Sequence, residues 1–151
     1  MELTGEHTFA APRQQVWDLL LDPETLRSCL PGCERLEPVG PDEFEATMKI
    51  GVAAIRGTYN GRVKISEQNA PESYKMLIQG KGPAGQVSGE GSLVLVEDGT
   101  NTTVQYSGKA NVRGTLARVG ARVMQPAAKL VVGQFFTCLS SRLEGGASTA
   151  E

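Results

Sequence analysis

Apolar and polar residues alternate from the start of the chain. Leu3, Gly5, His7 and Phe9 share one phase, and Glu2, Thr4, Glu6 and Thr8 the other, as in a half-buried strand. Pro12 then opens a short helix that carries Val16, Trp17, Leu20 and Leu21 at helical spacing. Asp22 and Pro23 supply a cap and a first-turn residue for a second short helix, which Pro31-Gly32 ends. From about Cys33 to Arg113 the period is two. Phe44, Ala46, Met48 and Ile50 form one apolar row; Ile55, Gly57, Tyr59, Gly61, Val63 and Ile65 form the next. Tyr74, Met76 and Ile78 follow, with Leu77 out of phase, then Val87, Gly89, Gly91, Leu93 and Leu95, then Val104, Tyr106, Gly108, Ala110 and Val112. Gly40-Pro41-Asp42, Asn69-Ala70-Pro71 and Asp98-Gly99 mark the turns, so the strands predict an antiparallel meander with one solvated face.

After Gly114 the period becomes helical to about Leu143. Leu116, Val119, Val123, Ala127, Leu130, Val131, Phe135 and Cys138 are expected to face inward, opposite Arg118, Arg122, Gln125 and Lys129. Pro126 is expected to kink this helix. At roughly 1.5 Å per residue it is about 40 Å long, enough to cover the sheet. The predicted fold is α+β: a curved antiparallel sheet of about six or seven strands wrapped around a long C-terminal helix, with two short helices after the first strand. One domain is expected over residues 1–143, followed by a disordered polar tail over 144–151.

The inward phase holds Gly57, Gly61, Gly89, Gly91 and Gly108. Glycine in a strand marks a bend or a close approach. These glycines predict a strongly curved sheet with little side-chain volume on its inner face, and hence a pocket beneath the helix. The competing reading is that they only permit curvature while large helix residues fill the gap. A pocket of about 300 Å³ left empty would cost roughly 7 kcal/mol, comparable to the whole stability of a domain. Occupied, hydrated or collapsed states are therefore expected. His7, Tyr59, Tyr74 and Tyr106 are polar groups on the inward phase, and each needs a hydrogen-bond partner if buried. The predicted ligand-binding residues are His7, Met48, Tyr59, Val63, Tyr74, Met76, Gly89, Gly91, Tyr106, Val123, Ala127, Leu130 and Val131.

The 151 residues carry a net charge of −2, which disfavours a nucleic-acid-binding module. Cys29, Cys33 and Cys138 make no even disulfide framework, so a reducing compartment is expected, with Cys33 and Cys138 as buried structural residues. No secretory leader or membrane-spanning run stands out, and the expected location is the cytoplasm. No cofactor, metal site or catalytic residue is predicted. The Cys29–Cys33 spacing lacks a second pair of ligands for zinc. The glycine-rich stretch 80–91 lacks the ending of a phosphate loop and reads as a hairpin. Glu2, Glu6, Glu43, Glu45 and Glu90 all fall on the outward phase, leaving His7 without an inward acid partner.

Several short runs carry a resemblance. Gly5-Glu6-His7-Thr8-Phe9 leads to Ala11-Pro12, Val16-Trp17 and Asp22-Pro23. Leu30-Pro31-Gly32-Cys33-Glu34, Gly80-Lys81-Gly82-Pro83, Ser88-Gly89-Glu90-Gly91 and Gln134-Phe135-Phe136 follow. Together, over about residues 1–143, they resemble the CoxG family, the G subunit of carbon monoxide dehydrogenase, within the START-like polyketide-cyclase/lipid-transport (SRPBCC) superfamily. The resemblance implies a helix-grip fold, a cavity for a lipophilic small molecule such as a quinone or lipid, and no catalytic role. It also implies association with a molybdenum hydroxylase complex, with membrane contact peripheral or through that partner. A cyclase, lyase or hydrolase using the same pocket, and a protein-docking adaptor, are the alternatives.

Overall fold

The computed structural model describes residues 1–51 and 55–149, with side chains described through Leu143. The elements run β1 (Glu2–Phe9), α1 (Arg13–Leu21), α2 (Pro23–Cys29), β2 (Cys33–Gly40), β3 (Glu43–Ile50), β4 (Gly57–Asn69) and β5 (Ser73–Gly82). They continue with β6 (Gly85–Asp98), β7 (Asn101–Arg113), α3 (Thr115–Val119) and α4 (Ala121–Thr149). The strands form one seven-stranded antiparallel sheet in the order β1-β7-β6-β5-β4-β3-β2. The alternation read from the sequence is thus the inner and outer faces of a single sheet. Asp22 caps α2 as expected, its Oδ2 accepting from the Thr25 backbone N–H at 3.0 Å, with Pro23 in the first turn.

The core fills one end of the fold. Phe9, Trp17, Leu20, Tyr74, Leu93, Leu95 and Val104 pack with Phe136, Leu139 and Leu143 of α4. Trp17 and Tyr74 meet edge to face at 5.3 Å. Buried Thr102 donates to the Ala11 carbonyl at 2.8 Å, tying β7 to the turn that leads into α1. His7 also belongs to this region. Its Nε2 lies 2.9 Å from Ser140 Oγ, and its ring stacks on Phe136 at 5.5 Å.

The C-terminal helix departs from the expectation in three ways. It is broken at Gly120, whose φ of 81° falls in the left-handed region, so α3 and α4 are separate helices. Pro126 lies inside α4. Leu116 is buried and Phe135 and Cys138 pack against the core as expected, but the stripe drawn through both segments misplaces Val123 and Leu130. The buried line of α4 is Val132, Phe136, Leu139 and Leu143, preceded at the same spacing by Gln125 and Ala128. At about 100° per residue, Val123 and Leu130 fall about 180° and about 200° from Val132. They are 39% and 59% exposed. Helical backbone continues past Leu143, where the polar tail was expected to begin, to Thr149. Residues 150–151 of the expected tail lie outside the described residues.

The cysteines also differ from the expectation. Cys29, at the end of α2, is bonded to Cys138 of α4, and Cys33 is the free thiol. An odd count does not reveal which pair the fold brings together; here α2 packs against α4 with these two Cα atoms 5.4 Å apart. With two of the three cysteines bonded, unpaired thiols no longer point to a reducing compartment. Cys33 is half-buried, and burial raises its thiol pKa.

The Cys29–Cys138 bond closes a sequence separation of 109 residues; disulfides are typically worth about 2–4 kcal/mol, and loops of about 100 residues lie toward the upper end, near about 5 kcal/mol. Cys138→Ser, or reduction of the wild type, should lower the unfolding free energy by that amount in denaturant titrations, while Cys33→Ser should not. Equal stability with and without reductant would exclude the bond. A second prediction concerns His7, the only histidine, whose pKa is lowered by burial. The unfolded state takes up this proton first, so the stabilisation is complete above roughly pH 6.5 and declines as pH falls below it. Unfolding free energy should drop as pH falls below about 6.5, with a slope of at most about 1.4 kcal/mol per pH unit. His7→Gln should flatten that slope; an unchanged slope would remove His7 as its source.

Candidate functional site

Inner-face rows run across the sheet through its cross-strand pairs. One is Ala46–Gly61–Gly80–Val87–Val112. The next is Phe44–Val63–Ile78–Gly89–Ala110, and the third is Ile65–Met76–Gly91–Gly108–Leu3. Glycine or alanine recurs where these rows pass beneath α4. On the helix, the sheet-facing line offers only Gln125, Ala128 and Val132 before the large residues begin at Phe135. Small residues therefore meet small residues, and a gap remains.

That gap is a groove of about 220 Å³. Leu3, Met76, Ile78, Val87, Gly89, Gly91, Leu93, Tyr106, Ala110 and Val132 line it, together with Met1 and the strand segment Gly108–Lys109. The lining is almost wholly apolar. Ile78, on the inner face, is 37% exposed, which marks the groove as open to solvent.

The glycines fall into two groups. Gly5, Gly57 and Gly82 are covered by the Tyr106 ring, Pro83 and the Tyr59 ring respectively, and Gly89 is closed off by the Lys109 backbone. A side chain at Gly80 would meet nothing within 4 Å. At Gly61 and Gly108 it would meet only backbone of a neighbouring strand, and at Gly91 such backbone and Met76 Cε at 3.6 Å. Helix side chains do not fill the space before these residues.

Of the thirteen residues expected to bind ligand, Met76, Gly89, Gly91 and Tyr106 come together in the groove. Val63 lies beside it, paired with Ile78. Met48 is half-buried and pairs with Tyr59 on β4. The Tyr59 hydroxyl is engaged, donating to the Ile55 carbonyl at 2.7 Å. Tyr74 is 3% exposed within the core, where desolvation pushes its phenol pKa well up. His7 is held by Ser140 and Phe136 and does not itself line the groove, although Phe136 also meets the lining residue Tyr106. Ala127 and Val131 are half-buried on the flank of α4, and Val123 and Leu130 lie on its opposite side.

The sequence reading left out Leu3, Ile78, Val87, Leu93, Ala110 and Val132. All but Val132 belonged to inward strand rows already visible in the alternation. Finding Val132 required the phase of α4 alone. Larger depressions on the outer face are lined by charged and polar side chains such as Arg62, Glu67, Lys75 and Arg113, and they offer little to an apolar molecule.

Among the described residues, no group of three His, Cys, Asp or Glu side chains could hold a metal ion. No described helix is long and apolar enough to cross a membrane.

No curated protein matches the chain. Among solved structures, a conserved protein from Geobacillus kaustophilus is 31% identical with a TM-score of 0.92, over 96% of each chain. A START superfamily protein from Mycobacterium smegmatis has a TM-score of 0.75 at 12% identity, over 95% of this chain and 97% of its own. At that identity the likeness concerns the fold, which is the START, or helix-grip, architecture. Residues 5–144 match the CoxG family, the G subunit of carbon monoxide dehydrogenase, and with nearly its whole length inside that match the chain belongs to the family.

Proposed function

We propose that the protein is a non-catalytic carrier that holds a lipophilic small molecule, a quinone or lipid, in the groove between α4 and strands β5–β7. The observation that carries this reading is the uncovered inner face: glycines and apolar side chains that α4 leaves exposed. Burying apolar surface is worth about 25 cal/mol per Å², so an apolar guest gains from displacing water there. Tyr106 adds its aromatic ring to the apolar lining.

The groove's chemistry argues against catalysis. His7 is bonded to Ser140, the Tyr59 hydroxyl to Ile55, and Tyr74 is buried in the core. What remains is a binding surface with few groups able to move protons. Membership of the CoxG family supports a carbon monoxide dehydrogenase-type molybdenum hydroxylase as the partner. In this reading the protein acts beside that enzyme and contacts the membrane through it.

Filling the groove tests the reading. Val132→Phe and Ala110→Phe place rings in the space, while Leu130→Phe adds the same ring on the exposed side of α4. Titration with decylubiquinone and with palmitate, followed by tryptophan fluorescence and thermal shift, should show binding to the wild type and to Leu130→Phe. The two groove variants should bind at least about tenfold more weakly, or about 1.4 kcal/mol. Equal binding by all four proteins, or none by the wild type together with no co-purifying ligand in native mass spectrometry, would refute the reading.

A further inference from the structure

The connections between strands alternate in charge along the sequence. The β2–β3 turn carries Asp42, and the β3–β4 connection is flanked by Lys49 and Arg56. The β4–β5 turn carries Glu67 and Glu72, and the β5–β6 turn is preceded by Lys81. The β6–β7 turn carries Glu97 and Asp98, and Arg113 and Arg118 flank the exit from β7 into α3, with Arg122 opening α4. In an antiparallel meander successive turns lie at opposite ends of the sheet. The alternation in sequence therefore becomes a separation in space: acids at one end, cations at the other.

Contacts confirm that the cationic segments share one end. The Leu116 N–H donates to the Ala84 carbonyl at 2.8 Å, joining α3 to the β5–β6 turn. Pro83 packs against Gly57 at the start of β4. Lys49 pairs with Thr58 across β3–β4, and Arg113 pairs with Gln86 across β6–β7. Lys49, Arg56, Lys81, Arg113, Arg118 and Arg122 are all exposed. Among the described residues none of them enters an ion pair, whereas Arg13, Arg35, Arg62 and Lys75 do. One carboxylate, Glu34, shares a surface depression with Lys49 and Arg56. A protein of net charge −2 thus carries six cations on one face.

We infer that this end of the sheet is a docking face for an acidic protein surface. The composition of the face favours protein over lipid. Four of its six cations are arginines, whose forked guanidinium matches carboxylates and which are enriched at protein interfaces where lysine is depleted. Membrane-facing surfaces use exposed Trp and Tyr as anchors; here no aromatic side chain among the described residues is exposed, and Tyr59, the one nearby, is bonded to Ile55. The inference rests on charge placement and does not depend on what the groove holds. Because the groove lining reaches Val87, close to the β5–β6 turn, a partner on this face would sit beside the bound molecule.

The test uses two probes, immobilised poly-L-glutamate and vesicles of phosphatidylcholine with phosphatidylglycerol, with binding of the whole protein followed by interferometry. The wild type should bind poly-L-glutamate, weaken steeply as salt rises, and bind vesicles far less. Arg113→Glu/Arg118→Glu should lose about tenfold or more in affinity. Lys64→Glu/Lys75→Glu, the same charge change elsewhere on the sheet, should lose little. Absence of binding, equal loss in both double variants, or vesicle binding as strong as that to poly-L-glutamate would overturn the proposal. Should the first variant fail to fold by circular dichroism, salt-insensitive binding by the wild type would overturn it equally.

Discussion

A gradient of side-chain size along α4 governs the rest of the structure. Its C-terminal half presents Phe136, Leu139 and Leu143 to the core, where they are 4%, 1% and 8% exposed. Its N-terminal half turns Gln125, Ala128 and Val132 toward the sheet at the same spacing. Because α4 is continuous, docking the large residues fixes its height above the sheet along its whole length. Ala128 and Val132 then cannot reach the opposite wall. The Cys29–Cys138 bond, the His7–Ser140 contact and the Phe9–His7–Phe136 ring cluster all act on the docked half. At the other half the described side-chain tie is one hydrogen bond, Gln125 Nε2 donating to the Glu2 carbonyl at 3.0 Å. One end of the helix is fastened and the other stands off.

The sheet meets this geometry with matching vacancies. Glycine within a strand sacrifices packing, and proteins often lay an aromatic ring over it from a neighbouring strand. Tyr106 and Tyr59 do this for Gly5 and Gly82. Gly61, Gly80, Gly91 and Gly108 lack such a cover, and the last two pair with each other across β6–β7 at the groove. An empty enclosed cavity of 220 Å³ would cost on the order of 5 kcal/mol. An open groove avoids that cost by hydration, at the price of wetting apolar surface. The arrangement is stable as folded and gains further from an apolar guest, which is the thermodynamic condition for a reversible carrier.

The strand rows were legible because alternation over a whole strand is over-determined: a slip of one residue would expose every apolar side chain. Hence the inner position of Met76, Gly89, Gly91 and Tyr106 could be read directly. Parity, however, gives a face and not a depth. It could not separate Tyr74, which lies in the core beside Trp17, from Tyr106, which lines the groove. The helix was harder to read. One glycine, Gly120, divides it, and a stripe fitted through both pieces put Val123 and Leu130 inside, where their exposure shows they are not. The disulfide was illegible for a different reason. Cys29 and Cys138 are joined by the docking of α2 on α4, a long-range contact with no local pattern.

Charge presents the converse case, since it was visible in the sequence but had no meaning until the topology was known. Summed over the chain, 15 cations and 17 acids leave almost nothing, and composition alone argues against any charged surface. The meander converts order along the chain into position: turns of one parity share an end. Acidic residues at Asp42, Glu67, Glu72, Glu97 and Asp98 fall on one parity, cationic residues at Lys49, Arg56, Lys81 and Arg113 on the other. The cations do not simply neutralise nearby acids, as Arg62 does with Glu43 and Glu45 or Lys75 with Glu67. Separated charge of this kind orients a molecule during encounter while adding little to the stability of its fold. It therefore belongs to what approaches the protein. The groove is walled by the inner face of the sheet and α4, whereas the cations project from strand ends, α3 and the first turn of α4. Ligand and partner would thus meet different surfaces, leaving the partner free to dock without displacing what the groove holds.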